Sequence, residues 1–406
     1  VLPKKKRWNS AWATGIGWTP TNYPFLKGNK IISALNLKAS YGVTANLNGV
    51  SVSQTIGTFS FSNKGYDEVR PLELLMLYNK DLKAEQNKSM DAGLTLELFH
   101  RITFDANWYN RITEEALLDV PIATSTGFQL MKRNVGILQN NGIELGFNVR
   151  IIDNYDSRLN LRANFCYNRN KVIDLYDGNR LYTNEDDILP TYEVGKSYDM
   201  LYGLHSLGIN PLTGYPVFKT PDNKEKQASE FLTKSDFQSL GHLTPPYNGG
   251  LNVDFQYKEF EMNVGFYYTL SGVRQFDYKY VRNKDNANKN AIAGLTEHMW
   301  FKQGDEHKIY PTPYYANSVA EENMALYATS RTVGSSNMLK LSMVSLRYRI
   351  AGKWLEKHLP FLQFASVGFQ GSNLYTWTSF KESDPESGKL SGTLQPVFTF
   401  NMNLTF

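Results

Sequence analysis

The chain runs to 406 residues, sets 43 Lys and Arg against 39 Asp and Glu for a net charge of +4, and is 14% aromatic with 25 Tyr and 23 Phe. So even a balance excludes the broad positive field that nucleic-acid binding needs. The lone cysteine, Cys166, excludes a disulfide framework or multi-cysteine metal site, and no run of about 18 apolar residues exists to form a transmembrane helix.

In chain order, "PKKKRW" is a short basic cluster that reads as a solvated strand flank rather than a nuclear-localisation or phosphate patch. Strands are predicted over Trp8 to Trp18 and Ser33 to Val43. "SMDAGLTLELFHRITFDANWYN" then alternates Ala92, Leu94, Leu96 and Leu98 with polar or small residues and resumes at Ile102, Phe104, Ala106 and Trp108, the pattern of a tight hairpin. A second hairpin carries Ile143, Leu145, Phe147, Val149 and Ile151, turns at "DNYDS", and returns through Leu159, Leu161, Ala163, Phe165 and Tyr167, with Cys166 mid-strand in a packing role. Strands follow at Met200 to Ile209 and Gly214 to Lys219, and a third hairpin turns at Lys258 and Glu259. The last three run over Met338 to Arg349, Leu362 to Thr376 and Pro396 to Phe406, which makes thirteen.

Short connections, near 19 to 32, 100, 153 to 157, 210 to 213, 258 to 259 and 350 to 361, alternate with long polar ones, near 44 to 88, 111 to 142, 168 to 199, 220 to 248, 271 to 337 and 377 to 395. Segregation of loop length by end is the habit of an outer-membrane barrel, with short periplasmic turns and long extracellular loops. It favours an all-β, transmembrane antiparallel β-barrel over a soluble all-β array or carbohydrate-binding module. An odd strand count whose first and last members both run downward describes the back part of a barrel, because single-chain bacterial barrels have an even number.

Several stretches resemble one family. "GWTPTNYPFLKGNKIISALNLKASYGVTAN", "NWYNRITEEALLDVPIATSTGFQLMKRNVGILQNNGIELGFN", "LTPPYNGGLNVDFQYKEFEMNVGFYYTLSG", "GSNLYTWTSFKESDPE" and the closing "FTFNMNLTF" are similar, in order, to SusC/RagA-type TonB-dependent outer-membrane transporters. Departures are mild: Thr44 to Asn46 read "TAN" where the family often has "TGN", and Leu138 stands where a polar residue is common. The resemblance implies a barrel of about 22 strands closed by a plug. Residues 1–406 would then be its C-terminal part, its first strand the tenth, with the plug, TonB-interacting segment, signal peptide and early strands outside this chain, in the same or a separate polypeptide.

It also implies the partners: outer-membrane lipid, a SusD-like surface lipoprotein acting as lid, TonB through the plug, and the N-terminal barrel portion. The implied function is import of oligosaccharides or oligopeptides. The alternative is a barrel of this lineage serving as a structural subunit of a larger outer-membrane secretion or assembly complex.

No catalytic constellation is found. The six histidines are scattered, with His298 and His307 nine residues apart in a polar loop, and they read as loop residues rather than zinc ligands. "NEDD" at Asn184 to Asp187 lacks the spacing of a Ca²⁺ loop. Neither a cofactor nor a metal is expected, and the chain reads as no enzyme. What remains is recognition. Tyr278, Tyr280, Trp300, Phe301, Tyr310, Tyr314 and Tyr315 crowd one long loop, and aromatic faces grip sugars or peptides; the competing role is packing loop against loop. In the last strand Phe398, Phe400, Met402, Leu404 and Phe406 are expected to face lipid, and Phe406, with Leu404 and Met402, resembles the C-terminal insertion signal of outer-membrane barrels.

Overall fold

In the computed structural model of the protein, eleven strands follow one another as antiparallel neighbours in a single sheet. They are β1 (Trp12–Trp18), β2 (Ile32–Asn46), β3 (Glu85–Leu98), β4 (Ile102–Glu114), β5 (Ile137–Asp153), β6 (Ser157–Asp174), β7 (Tyr247–Tyr257), β8 (Phe260–Leu270), β9 (Met338–Arg349), β10 (Phe364–Thr378) and β11 (Val397–Thr405). The structure describes residues 2, 6–48, 50–62, 70–176, 178–182, 189–227, 233–275, 295–310, 329–380, 384–386 and 394–406.

Register follows from the period-2 pattern, because a slip of one residue would put every apolar side chain on the wrong face. One ladder crosses nine strands through Leu37, Leu94, Ala106, Leu145, Phe165, Gly249, Tyr268, Leu339 and Trp377. The adjacent ladder, one residue along, holds Lys38, Gly93, Asn107, Glu144, Cys166, Asn248 and Thr269. The sheet thus has one apolar and one polar face. Cys166 falls on the polar one, between Glu144 and Asn248, rather than in apolar packing.

The connections at 19–31, 99–101, 154–156, 258–259 and 350–363 lie at one end of the sheet, and those at 47–84, 115–136, 175–246, 271–337 and 379–396 at the other. The tightest turns use left-handed backbone, with Phe99 at φ 52° and His100 at φ 53°, the twist that suits a two-residue hairpin. The 350–363 connection carries a short helix, Gly352–His358, whose Leu355 packs with Leu362 and Ala365 to close the sheet's short-turn edge.

Two of the thirteen expected wall strands are not in the wall. Residues 200–209 split into Met200–Gly203, paired with Gln238–His242, and His205–Ile209, paired with Pro216–Lys219. At four and five residues these are too short to cross a bilayer, which takes about 9–11. Both faces are covered, since Tyr202, Leu204, Ile209 and Phe218 are all buried. They form small sheets inside one long excursion, 175–246, so among the described residues the wall has eleven strands rather than thirteen. β1 also begins at Trp12, four residues inside the expected Trp8 start.

Strand heights differ. β2 to β6 have 13 to 18 residues, while β7 to β9 have 11 or 12. Above the tall strands sits the hairpin of Leu117–Pro121 and Leu130–Asn134, and its Ala116 and Leu118 share an apolar core with Val172, Leu175 and Leu181.

Candidate functional site

The polar face of the wall is a field of paired charges. Arg162 Nη2 lies 2.7 Å from Asp254 Oδ2, and Asn263 donates to the other oxygen of the same carboxylate. Glu261 takes Arg347 at 3.3 Å and Arg349 at 3.1 Å. Further along, Thr95 donates to Asp105 at 2.6 Å, Arg111 reaches Asp91 at 3.9 Å, and Arg150 reaches Glu97 at 4.0 Å. A cavity of about 380 Å³ opens among Asn160, Asp254, Glu261, Asn263 and Arg347. A polar face of this kind suits water rather than lipid, and the lumens of transmembrane barrels are polar in the same way.

At the long-loop end, loops are tied to wall strands by buried polar contacts. Lys340 on β9 is buried and holds Glu386 at 2.7 Å, while Arg274 Nε donates to the Pro385 carbonyl at 3.0 Å. The "DPE" motif is thereby fixed against the polar side of the mouth. Asn134 accepts from Lys83 N and donates to the carbonyls of Lys83 and Glu115, which explains the asparagine of "NVG" as a tie between two loops. Asn46, closing "TAN", donates to Glu85 Oε2 at 2.9 Å, and Glu85 Oε1 accepts from Leu117 N.

In the 295–310 segment, Trp300 packs on Gly214, where φ is +73° and an added Cβ would strike the indole. Trp300 N donates to Tyr310 O, and Tyr310 N to His298 O. Tyr310 is buried and Trp300 half-buried, whereas Phe301 is 45% exposed. Tyr278, Tyr280, Tyr314 and Tyr315 lie outside the described residues. Of the aromatic set, then, Trp300 and Tyr310 are brought together in a packed turn and Phe301 is left facing outward. Residues 184 to 187 also fall outside. Among the described residues no three His, Cys, Asp or Glu side chains converge at metal-ligand distance.

Three loop carboxylates, Asp199, Asp236 and Asp305, are held below the ordinary range. Burial would raise Asp199, but hydrogen bonds from Ser197, Thr244 and Asn170 outweigh it and hold it below the usual carboxylate range. Asp236 behaves alike: burial is overcome by Lys226 at 2.9 Å and by the Thr233 capping contacts. Lys308, 2.9 Å away, lowers Asp305.

On the apolar face of β11, Phe398, Phe400, Met402 and Leu404 are all exposed, opposite Gly371, Phe369, Val367 and Ala365 of β10. Phe406 stacks on Phe361 with ring centroids 6.4 Å apart.

Residues 2–374 match the family model described as TonB dependent receptor-like, beta-barrel. The chain belongs to the TonB-dependent receptor β-barrel family. TonB-dependent receptor P3 of Formosa agariphila is 27% identical over 394 residues, covering 92% of this chain and 38% of that protein. TonB-dependent receptor SusC of Bacteroides thetaiotaomicron is 21% identical over 437 residues, covering 99% of this chain and 40% of its own length. A solved structure of the RagAB peptide transporter superposes with a TM-score of 0.83 at 21% identity, covering all of this chain and 44% of the other. This TonB-dependent receptor barrel therefore spans about two-fifths of the length of the relatives it matches. It is an outer-membrane protein: the apolar face meets lipid, the polar face lines the lumen, and the long loops lie on the extracellular side.

The sequence reading missed Lys340 as the partner of Glu386, although a lysine inside an otherwise amphipathic strand is a signal. It also missed Asn134, Asn46 and Glu85, whose roles depend on contacts 19 to 51 residues away.

Proposed function

We propose that this chain forms part of the wall and much of the mouth of a TonB-dependent importer of oligopeptides or oligosaccharides, closed on the outside by a SusD-like lipoprotein. The supporting observation is the pairing of a charge-lined inner wall with loops locked to it by Lys340–Glu386 and Arg274–Pro385. Such an arrangement gives a ligand a rigid polar path below and a shaped rim above, and binding residues concentrate on loops held by rigid scaffolds. Transport, rather than catalysis, suits a site whose charges are already paired. Oligopeptides are kept beside oligosaccharides as cargo in this reading, and the solved peptide transporter shares the fold.

Both edges of the eleven-stranded sheet, β1 and β11, lack a partner among the described residues, and lipid tolerates no open edge. In this reading further strands complete the wall, and a plug reaching TonB supplies the energised element. Phe406, Leu404 and Met402 act in recognition for barrel insertion. In the test, cells carrying or lacking the complete transporter are fed labelled oligopeptide and oligosaccharide pools, with and without TonB. TonB-dependent accumulation lost on deletion is expected; identical accumulation in all strains overturns the reading. Co-purification of a surface lipoprotein with the barrel tests the lid.

A further inference from the structure

The apolar face ends abruptly at one corner. On β6 the outward positions run Leu159, Leu161, Ala163, Phe165 and Tyr167, and the next two are Arg169 and Lys171. Their register partners on β5 are Asn141 and Gln139. At about 3.3 Å per residue, Arg169 stands ~7 Å and Lys171 ~13 Å along the strand beyond Tyr167. That is the headgroup layer of the outer leaflet, a few ångströms deep on each side of the hydrocarbon core.

Below them Tyr167 stacks on Tyr247 with centroids 4.9 Å apart, a pair placed as the aromatic girdle of a barrel. Beside this stack a cavity of about 590 Å³ is lined by Arg169, Lys196, His242 and both tyrosines. The Lys171 stem runs past Gly195, its Cε 4.0 Å from where a Cβ there would sit, so it stands outside the cavity beside the segment that carries Lys196.

Among the described residues none of Arg169, Lys171 and Lys196 has a carboxylate within ion-pair distance; Lys196 reaches only the Ser239 hydroxyl, at 3.3 Å. Of the acids in the loop, Asp199 spends its oxygens on Ser197, Thr244 and Asn170 and Glu193 pairs with Arg180, while Asp174 forms no ion pair with Lys171. Several cations elsewhere on the wall are matched, Arg162 with Asp254, Arg347 with Glu261 and Lys88 with Glu114. Three unmatched cations above an aromatic girdle form a site for an anionic lipid headgroup.

We propose that this corner binds a phosphate-bearing headgroup of an outer-leaflet glycolipid. Arg169 and Lys196 take the phosphate oxygens, Lys171 stands by a second anionic group, Asn141 and Gln139 offer amide hydrogens to the sugar, and the tyrosine pair covers the start of the acyl chains. The inference rests on the outer-membrane location and is independent of import.

The probe is bisphosphorylated lipid A, compared with the same lipid dephosphorylated and with inorganic phosphate, each added to the complete outer-membrane protein in mild detergent and read by native mass spectrometry. Bisphosphorylated lipid A is expected to bind at least about tenfold better than the dephosphorylated form, and millimolar phosphate is expected to leave it bound. Each of Arg169→Gln, Lys171→Gln and Lys196→Gln is expected to weaken it about fivefold, whereas Lys132→Gln on the 130–134 strand leaves it unchanged. Equal binding of the two lipids, or of wild type and the triple variant, overturns the proposal. Full displacement by phosphate makes this a free-anion pocket and overturns the lipid assignment. Heat-modifiable migration verifies that each variant is folded, and if the triple variant is not, the Arg169→Gln result decides alone.

Discussion

The ring of Tyr109 on β4 lies over Gly142, its register partner on β5, and its hydroxyl donates to Asn168 Oδ1 on β6 at 2.8 Å. One side chain thereby pins three consecutive strands on the lumen face. A Cβ on Gly142 would come within 2.5 Å of the tyrosine hydroxyl and closer still to the Tyr167 carbonyl. Gly142→Ala is therefore expected to destabilise the wall by roughly 1–3 kcal/mol, the cost of overpacking where backbone cannot give, and Tyr109→Phe by about 1 kcal/mol for the lost hydrogen bond. Urea unfolding of barrel in liposomes measures both, and a G142A midpoint equal to wild type contradicts the packing argument.

Lys340 and Glu386 should not be equivalent on mutation. Glu386→Gln leaves a buried ammonium unpaired, whereas Lys340→Met removes the buried charge and leaves a more exposed carboxylate free to hydrate. Hydrogen exchange at Glu386 is expected to rise in both, and global stability to fall further in E386Q. The reverse order would show that Lys340 is solvated in the folded protein.

Acid should loosen the loops before the wall. Asp199 and Asp236 have folded-state pKa values held below the ordinary range, so their stabilising contribution is present above about 4, the unfolded value, and is lost as pH falls through the depressed folded value. Hydrogen exchange of 195–200 and 225–240 at successively lower pH is expected to accelerate there while β3 to β6 remain protected. Asp236→Asn should flatten the response around Lys226. Simultaneous loosening of loops and wall would contradict it.

Phe301 and Trp300 separate ligand contact from loop packing. Trp300→Ala uncovers Gly214 and is expected to raise exchange across 210–214, whatever ligand is present. Phe301→Ala, at an exposed position, is expected to leave exchange unchanged and to weaken cargo or lid binding several-fold. Unaltered binding in F301A removes this residue from the recognition surface.

Phe406 stacks on Phe361 beneath the outward row of β11. Phe406→Ala is expected to lower the membrane-inserted fraction much more than loop binding per inserted molecule, as quantified by heat-modifiable migration. Phe361→Ala separates the roles, since loss of the stack alone should cost stability and leave insertion intact.

Most of the wall was legible because lipid on one side and water on the other impose a period of two over a long strand. Leu94, Ala106, Leu145 and Phe165, each inferred from alternation alone, meet in one ladder. Residues 200–219 misled because short strands buried in a loop sheet carry the same β-favouring residues as a wall strand; only their length betrays them. The mouth was legible as motifs but not as mechanism. "DPE" and "NVG" stood out in the chain, yet their partners Lys340 and Lys83 lie 46 and 51 residues away, and nothing local names them.

The unequal strand heights make the rim mechanically lopsided. Where β2 to β6 rise with their ladder bonds, the rim is a rigid jamb. Where β7 to β9 stop short, the chain goes on at the long-loop end in separate short ladders, Val273–Gln275 with Val333–Ser335 and Met200–Gly203 with Gln238–His242. The step between β6 and β7 is therefore where the rim passes from one unbroken ladder to several small ones, a threshold rather than an even lip.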